Sequence, residues 1–263
     1  MTKILIPIET ASGERRVSAT PSAVKKLKGL GCEVFVESSA GELSGFNDTL
    51  YKESGGEIVS KSNINIWENA DVVFCVQPPS ESNLSKLKKG AILLGLLNPY
   101  ANEKLQKTIT SQKISALSME LLPRISRAQS SDVLSSQANI AGYKAVLLAA
   151  SELDRYFPML MTAAGTVQPA KVVVLGGGVA GLQAVATAKR LGAIVFVSDI
   201  RPAVKEQVES LGARFIELPE IDEKPGESGG YAKAVTPEFL SKQKSTLTKY
   251  LSEADVAVCT AQV

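Results

Sequence analysis

The stretch Lys171-Val-Val-Val-Leu-Gly-Gly-Gly-Val-Ala-Gly-Leu182 decides the fold of this chain. Its apolar first part predicts a buried strand over Lys171–Leu175, and the residues that follow predict a helix over Val179–Leu191. Between them the spacing G-x-G-x-x-G is formed by Gly176, Gly178 and Gly181. Because this spacing joins a strand directly to a helix, it predicts a tight turn at the carboxyl edge of a parallel sheet.

These glycines have a physical purpose in a site for the pyrophosphate of a dinucleotide. Gly176 makes the tight turn, Gly178 lets the backbone approach the phosphates, and Gly181 permits close packing of helix on strand. Val179 and Ala180 begin the helix, where free N–H groups and a partial positive charge favour an anion. The motif therefore predicts dinucleotide binding, with a Gly-rich turn that holds no ligand as the alternative.

The residues after the next predicted strand, Ala193–Ser198, complete this site. They are Asp199, Ile200 and Arg201. A carboxylate at Asp199 accepts hydrogen bonds from the adenosine ribose and repels a 2′-phosphate, which favours NAD(H) over NADP(H). Arg201 keeps NADP(H) open as an alternative, because an arginine can bind a 2′-phosphate.

Strands and helices alternate along the rest of the chain, which predicts parallel α/β architecture. The segment Leu30–Val36 is similar to Leu191–Val197, and Ala70–Cys75 is similar to Ala254–Cys259. We therefore predict two tandem Rossmann-like or flavodoxin-like parallel-sheet domains that flank a cleft. The alternative is that any two α/β units would look this similar.

The predicted domains are an N-terminal α/β domain over residues 1–137 and an NAD(H)-binding Rossmann domain over residues 138–263. A long helix over Ala138–Phe157, ended by Pro158, is expected to bridge them and to line the cleft. The strand pattern breaks off at Ala261–Val263, so we expect the second domain to be incomplete at its C-terminal end.

Composition limits the chemistry that the chain can perform. The 263 residues include no histidine, which is the usual general acid or base near neutral pH and a common metal ligand. The 29 basic and 27 acidic residues almost cancel, so a nucleic-acid partner has no support. The longest apolar run, Val172–Leu182, is too short to cross a membrane. The scattered Cys32, Cys75 and Cys259 suit free thiols in a reducing compartment better than a zinc site or disulfides.

Polar side chains crowd the segment ahead of the predicted long helix. They are Arg124, Arg127, Gln129, Asp132, Ser135, Ser136, Gln137 and Asn139. Amide, guanidinium and carboxylate groups of this kind suit a loop that holds a carboxamide or a ribose. A solvated loop with an ordinary helix cap at Ser135 or Ser136 is the alternative.

The run Arg124-Ile-Ser-Arg-Ala-Gln-Ser-Ser-Asp-Val-Leu-Ser-Ser-Gln-Ala-Asn-Ile-Ala-Gly-Tyr143 closely resembles the NAD(H)-binding alpha subunits of proton-translocating NAD(P) transhydrogenases. The likeness extends through Arg15–Pro21, Gly176–Gly181 and Gly229–Lys233 and covers essentially the whole chain. It implies that the nicotinamide and its ribose are held by Arg124, Gln129, Asp132 and Ser135. Ser131 departs from the family, which usually has methionine there, so we expect the local packing to differ and the polar contacts to stay the same.

The resemblance further implies that Asp199 binds the adenosine ribose. It also implies that Gly230 and Tyr231 lie on a mobile loop, from Glu217 to about Val235, that closes over bound nucleotide. The proline, glycine and charged residues of that loop suit mobility, although a merely disordered insertion remains the alternative.

Alanine dehydrogenases share this two-domain plan and define a second class of function. They carry catalytic lysine and histidine where this chain has Cys75, Gln77 and Asn98. Oxidative deamination needs a base, so an amino-acid dehydrogenase is disfavoured. Hydride transfer between two nicotinamides removes no substrate proton and needs only alignment of the rings and exclusion of water. A non-catalytic NAD(H)-binding module is a third class.

The resemblance also implies the surroundings in which the chain works. NADP(H) is expected only on a partner component, beside a membrane-spanning component that carries the proton channel. We expect a homodimer with no membrane insertion of its own. The expected location is the cytoplasm, peripheral to a bacterial inner membrane, or the matrix side of a mitochondrial one.

Overall fold

The computed structural model describes residues 1–60, 65–218 and 237–261. The chain divides into two compact units, Met1–Val133 and Leu134–Val263. The predicted boundary between residues 137 and 138 stays a prediction. Within the described ranges, no helix has the length and apolar character needed to cross a bilayer.

The first unit alternates parallel strands with helices. Its strands are β1 (Lys3–Ile6), β2 (Glu33–Glu37), β3 (Glu57–Val59), β4 (Val72–Phe74), β5 (Ile92–Gly95) and β6 (Ser115–Ser118). Its helices are α1 (Pro21–Gly29), α2 (Asp48–Glu53), α3 (Asn65–Asn69), α4 (Glu81–Leu84) and α5 (Glu103–Gln112). Short 3₁₀ turns lie at Glu42–Ser44, Pro99–Ala101, Met119–Leu121 and Ser126–Ser131.

The sheet of the first unit has the order β3-β2-β1-β4-β5-β6, with every neighbouring pair parallel. This is the strand order of a Rossmann sheet, in which the direction of growth reverses between β1 and β4. Its core is built from buried strand residues such as Leu5, Val73 and Leu93. Helix α1 begins with a capped first turn, because the Thr20 hydroxyl accepts a hydrogen bond from the Ala23 amide and Pro21 occupies the first helical position.

The second unit repeats this plan. Its first helix, α6 (Val133–Glu152), starts at the last residue of the first unit. The other helices are α7 (Val179–Arg190), α8 (Val204–Ser210) and α9 (Pro237–Leu251). The strands are β7 (Leu160–Thr162), β8 (Gly165–Val167), β9 (Lys171–Leu175), β10 (Ile194–Ser198), β11 (Arg214–Phe215) and β12 (Val256–Cys259).

The main sheet of the second unit has the order β11-β10-β9-β12, and all its pairs are parallel. This repeats the order of the first four strands of the first unit, so the prediction of two tandem parallel-sheet folds of Rossmann type is confirmed. Strand β9 is central and its residues Val172, Val173 and Val174 are fully buried. Strands β7 and β8 form a separate antiparallel hairpin.

The prediction of a helix over Ala138–Phe157 is wrong at both ends, since α6 runs from Val133 to Glu152. At its C-terminal end the chain leaves the helix because Phe157 packs into the core of the second unit. The Phe157 carbonyl there accepts a hydrogen bond from the Ala170 amide at 3.0 Å. The apolar character of Phe157 thus belongs to the core and not to the periodicity of the helix.

Candidate functional site

The loop between β9 and α7 has the shape that its glycines predict. Gly176 adopts φ +97°, a left-handed conformation that favours glycine. A Cβ atom there would lie 2.8 Å from the amide nitrogen of Ala261. The Thr260 hydroxyl, just beyond β12, donates to the carbonyl oxygen of Gly176 at 2.8 Å. The loop is therefore held from the neighbouring strand, a contact that sequence reasoning missed.

The other two glycines of the motif have contrasting surroundings. A Cβ atom at Gly181 would lie 1.8 Å from the carbonyl oxygen of Gly176, so a side chain there would push the helix off the loop. At Gly178, by contrast, a Cβ atom would meet nothing within 4 Å. This open backbone, at the N-cap of α7, leaves room for a pyrophosphate against the free N–H groups of the helix.

Asp199 follows β10 and points its carboxylate at the glycine loop. Its Oδ2 accepts a hydrogen bond from the Gly177 amide at 2.7 Å, and its side chain is only 6% exposed. The Arg201 guanidinium donates from Nε and Nη2 to the two carboxylate oxygens at 2.9 and 2.8 Å. Burial raises the pKa of Asp199, but the bonds from Arg201 and Gly177 outweigh it, so the pKa lies below its usual value. The carboxylate is therefore charged at neutral pH.

Helix α6 packs closely on the start of α7. A Cβ atom at Gly142 would lie 2.0 Å from the carbonyl oxygen of Ala180, one residue before Gly181. Nearer the start of α6, the Asn139 amide donates to the Gln183 side-chain oxygen at 3.1 Å. These contacts bring the first turns of α6, which include Ser135, to the end of α7 that carries the glycine loop.

The structure brings part of the predicted site together. The glycine loop with Val179 and Ala180 lies beside the Asp199–Arg201 turn in the second unit. Arg124 and Gln129 are exposed, and Asp132 is half-buried; all three lie at the end of the first unit, whereas the half-buried Ser135 lies in the second. Ile200 is half-buried within the turn. Gly230 and Tyr231, on the predicted mobile loop, lie outside the described residues.

The equivalent edge of the first unit carries a polar network. The Glu9 carboxylate accepts from the amides of Val76 and Gln77 at 2.6 and 3.1 Å, just beyond β4. The Gln77 side chain donates to Glu14, which Arg16 also binds through Nε and Nη2 at 2.8 and 2.7 Å. The groups at this edge thus bind one another across β1 and β4, where the strand order reverses.

At the positions where the resemblance to alanine dehydrogenases predicts lysine and histidine, this chain has side chains that are poorly suited to proton transfer. Burial, with the nearby Glu9 charge, raises the pKa of the Cys75 thiol to about 12. Gln77 carries an amide, which does not titrate, and Asn98 is an amide residue held at φ +44°. None of these three side chains therefore supplies the base that oxidative deamination requires.

Comparison with known proteins agrees with this geometry. Sequence models of alanine dehydrogenase/PNT match this chain, the N-terminal domain over residues 5–141 and the C-terminal domain over residues 145–263. A subunit alpha polypeptide of the NAD(P) transhydrogenase of Rhodospirillum rubrum is 49% identical over 267 residues, which cover 99% of this chain and 69% of the relative.

A solved structure and a more distant relative complete the comparison. The crystal structure of transhydrogenase from Sinorhizobium meliloti superposes with a TM-score of 0.87 at 42% identity, over 99% of this chain and 70% of that one. Alanine dehydrogenase 2 of Staphylococcus aureus is 34% identical over 212 residues, which cover 80% of this chain and 56% of the relative.

A glycine-rich turn between strand and helix, with a buried carboxylate at the end of the next strand, defines a dinucleotide-binding α/β protein. The chain belongs to the alanine dehydrogenase/PNT family. Within it, the chain is more similar to a transhydrogenase alpha subunit, at 49% identity, than to an alanine dehydrogenase, at 34%. The prediction of an oxidoreductase of the transhydrogenase kind is confirmed.

Proposed function

We propose that this chain is the NAD(H)-binding component of a proton-translocating transhydrogenase. Hydride passes between NADH held here and NADP⁺ held on a partner component. The observation that carries the proposal is the glycine loop of β9 and α7, with open backbone at Gly178 and the Asp199 carboxylate beside it. A membrane-spanning component that conducts the protons, and a second copy of this chain, complete the proposed assembly. The proposed location is peripheral to a bacterial inner membrane or on the matrix side of a mitochondrial one.

The chain's own residues bind and orient the nucleotide in this proposal. The N–H groups at the start of α7 bind the pyrophosphate, and Asp199 accepts from the adenosine ribose. Arg124, Gln129, Asp132 and Ser135 hold the nicotinamide and its ribose, and Gly230 and Tyr231 help to close the site. The nicotinamide supplies the chemistry, since one hydride with its two electrons leaves C4 of one ring and joins C4 of the other. No proton is taken from a substrate, which suits a chain without histidine.

Hydride transfer measured with the NADP(H)-binding component tests this proposal. The purified chain, mixed with that component, is expected to reduce an NADP⁺ analogue with NADH, and Gln129→Ala is expected to slow transfer by about tenfold or more while NADH affinity changes less. Positioning of the ring is the reason for this difference. Arg190→Gln, at the far end of α7, is the control and should behave as the unmodified chain.

The alternatives give different results in the same experiment. Intact NADH binding without transfer would favour a non-catalytic NAD(H)-binding module. Formation of alanine from pyruvate, ammonia and NADH would instead support an amino-acid dehydrogenase. Equal losses of transfer and affinity in Gln129→Ala would contradict the positioning role.

A further inference from the structure

The Asp199 carboxylate already has a full set of hydrogen-bond donors within the chain. Its Oδ1 accepts from the backbone amide and from Nε of Arg201, both at 2.9 Å. Its Oδ2 accepts from the Gly177 amide at 2.7 Å and from Nη2 of Arg201 at 2.8 Å. A carboxylate has about four lone-pair positions in all. A ribose that binds this carboxylate must therefore displace at least one of these donors.

The guanidinium of Arg201 is the donor that can leave at least cost. The Gly177 amide belongs to a tightly fitted loop, where a Cβ atom would lie only 2.2 Å from the Val204 side chain. The Arg201 side chain is 42% exposed, against 6% for Asp199. An exposed guanidinium that leaves the carboxylate regains hydrogen bonds from water, whereas a buried backbone amide does not.

We propose that Asp199 and Arg201 act as a specificity pair, in which the carboxylate occupies the guanidinium and so withholds it from a 2′-phosphate. An adenosine ribose with a free 2′-hydroxyl displaces the fork of Arg201 and takes its place on Asp199. A 2′-phosphate, in contrast, meets the charge of Asp199, and the arginine that could bind it is already paired. This inference rests on the proposed binding of NAD(H) and adds the reason why Arg201 does not turn the site towards NADP(H).

If the two residues act as a pair, substitution of either one is expected to expose the effect of the other on nucleotide binding. With asparagine in place of Asp199, Arg201 keeps an unpaired positive charge and a planar fork beside the 2′ position, which is the geometry that binds phosphate. With glutamine in place of Arg201, the carboxylate needs no displacement and still repels a phosphate. Arg201 is therefore a positioning residue that acts through Asp199.

Binding titrations of NADH and NADPH to the unmodified chain and to four variants test this pair. Asp199→Asn is expected to weaken NADH binding and to strengthen NADPH binding, each by about tenfold, the effect of roughly one charge-assisted hydrogen bond. The double variant Asp199→Asn/Arg201→Gln is expected to lose the gain for NADPH. Arg201→Gln alone should bind NADH a few-fold more tightly than the unmodified chain, because no guanidinium has to be displaced, with NADPH still weak. Arg190→Gln, the same change of charge at the end of α7, should alter neither affinity.

Opposite shifts for the two nucleotides cannot arise from general destabilisation, which weakens both. The specificity pair would be overturned by an unchanged NADPH affinity in Asp199→Asn, or by a gain in NADPH affinity that is equally large in the double variant. Neither result would contradict the proposed binding of NADH to the unmodified chain. An unchanged or weaker NADH affinity in Arg201→Gln would overturn the displacement step, even if Asp199→Asn failed to fold. Failure of the unmodified chain to bind NADH at all would instead overturn the proposed function, and the pair with it.

Discussion

Glu14 shows how one charged residue stabilises the carboxyl edge of the first unit. Its side chain is 8% exposed and accepts hydrogen bonds from Arg16 and from the side-chain amide of Gln77. The bond from Arg16, against an opposing effect of burial, lowers the pKa of Glu14 to about 2. Glu14 thus favours the folded chain wherever its carboxyl group is ionised.

The substitution Glu14→Gln is expected to lower the free energy of unfolding at pH 7 by about 1–2 kcal/mol. This figure is reduced because the Arg16 side chain is partly exposed and solvent screens its charge. Because the folded pKa lies below the unfolded one of about 4.3, the stabilisation is complete above that value. It is lost as the pH falls through the folded pKa of about 2. Urea unfolding at pH 7, 5 and 3.5 measures the difference from the unmodified chain.

The matched control is Glu103→Gln, which removes a carboxylate from the exposed i,i+4 pair with Lys107. It should change stability by no more than about 0.5 kcal/mol at any of these pH values. A difference for Glu14→Gln that stays constant from pH 7 to pH 3.5 would show that ionisation of this carboxyl is not the cause.

At the scale of elements, the contact between α6 and α7 positions the glycine loop. Gly142→Ala adds a methyl group where a Cβ atom would lie 2.0 Å from the Ala180 carbonyl oxygen. The helices must separate, so we expect a loss of about 1–3 kcal/mol in stability and weaker NADH binding. Thermal unfolding and NADH titration measure the two effects.

Gly29→Ala is the control for this helix substitution. Gly29 is the last residue of α1, and a Cβ atom there would meet nothing within 4 Å. Alanine should leave stability unchanged or raise it by up to about 1 kcal/mol. If Gly142→Ala proved as harmless as Gly29→Ala, the close contact of α6 with α7 would be refuted.

Elements whose residues are buried in a regular pattern can be predicted from the sequence alone. The predicted strand Lys171–Leu175 coincides with β9, and the predicted strand Ala193–Ser198 coincides with β10 except for its first residue. Strand β6 has no such pattern, because Ser115, Ala116 and Leu117 are exposed and the strand exists through its pairing with β5. Pairing partners far apart in the chain leave no local mark in the sequence.

The same distinction applies to the candidate site. The glycine spacing and the acidic residue after β10 are local signals, so the glycine loop and Asp199 can be predicted. The bond from Thr260 to Gly176 joins residues far apart in the chain and depends on β12 pairing with β9. A signal existed, because Thr260 directly follows a predicted strand, and the carboxyl ends of parallel strands meet at one edge.

At the scale of the whole molecule, the absence of histidine predicts how ligand binding responds to pH. Histidine is the only side chain whose ordinary pKa lies between about 5 and 8. Burial raises the pKa of the Cys75 thiol to about 12, and the pKa of Asp199 lies below its usual value. NADH binding is therefore expected to take up and release no protons between about pH 6 and 7.5, with an affinity that stays constant across this range.

Titration calorimetry at pH 7 in phosphate and in Tris measures this linkage, because the two buffers differ widely in their enthalpy of ionisation. Equal binding enthalpies in both buffers are expected for the unmodified chain. A difference would mean that a titratable group changes its protonation on binding, and the half-buried Glu9, whose pKa is raised by desolvation, would be the first residue to test. Glu9→Gln would then abolish the difference between buffers, and the chain would have a proton-linked site despite its lack of imidazole.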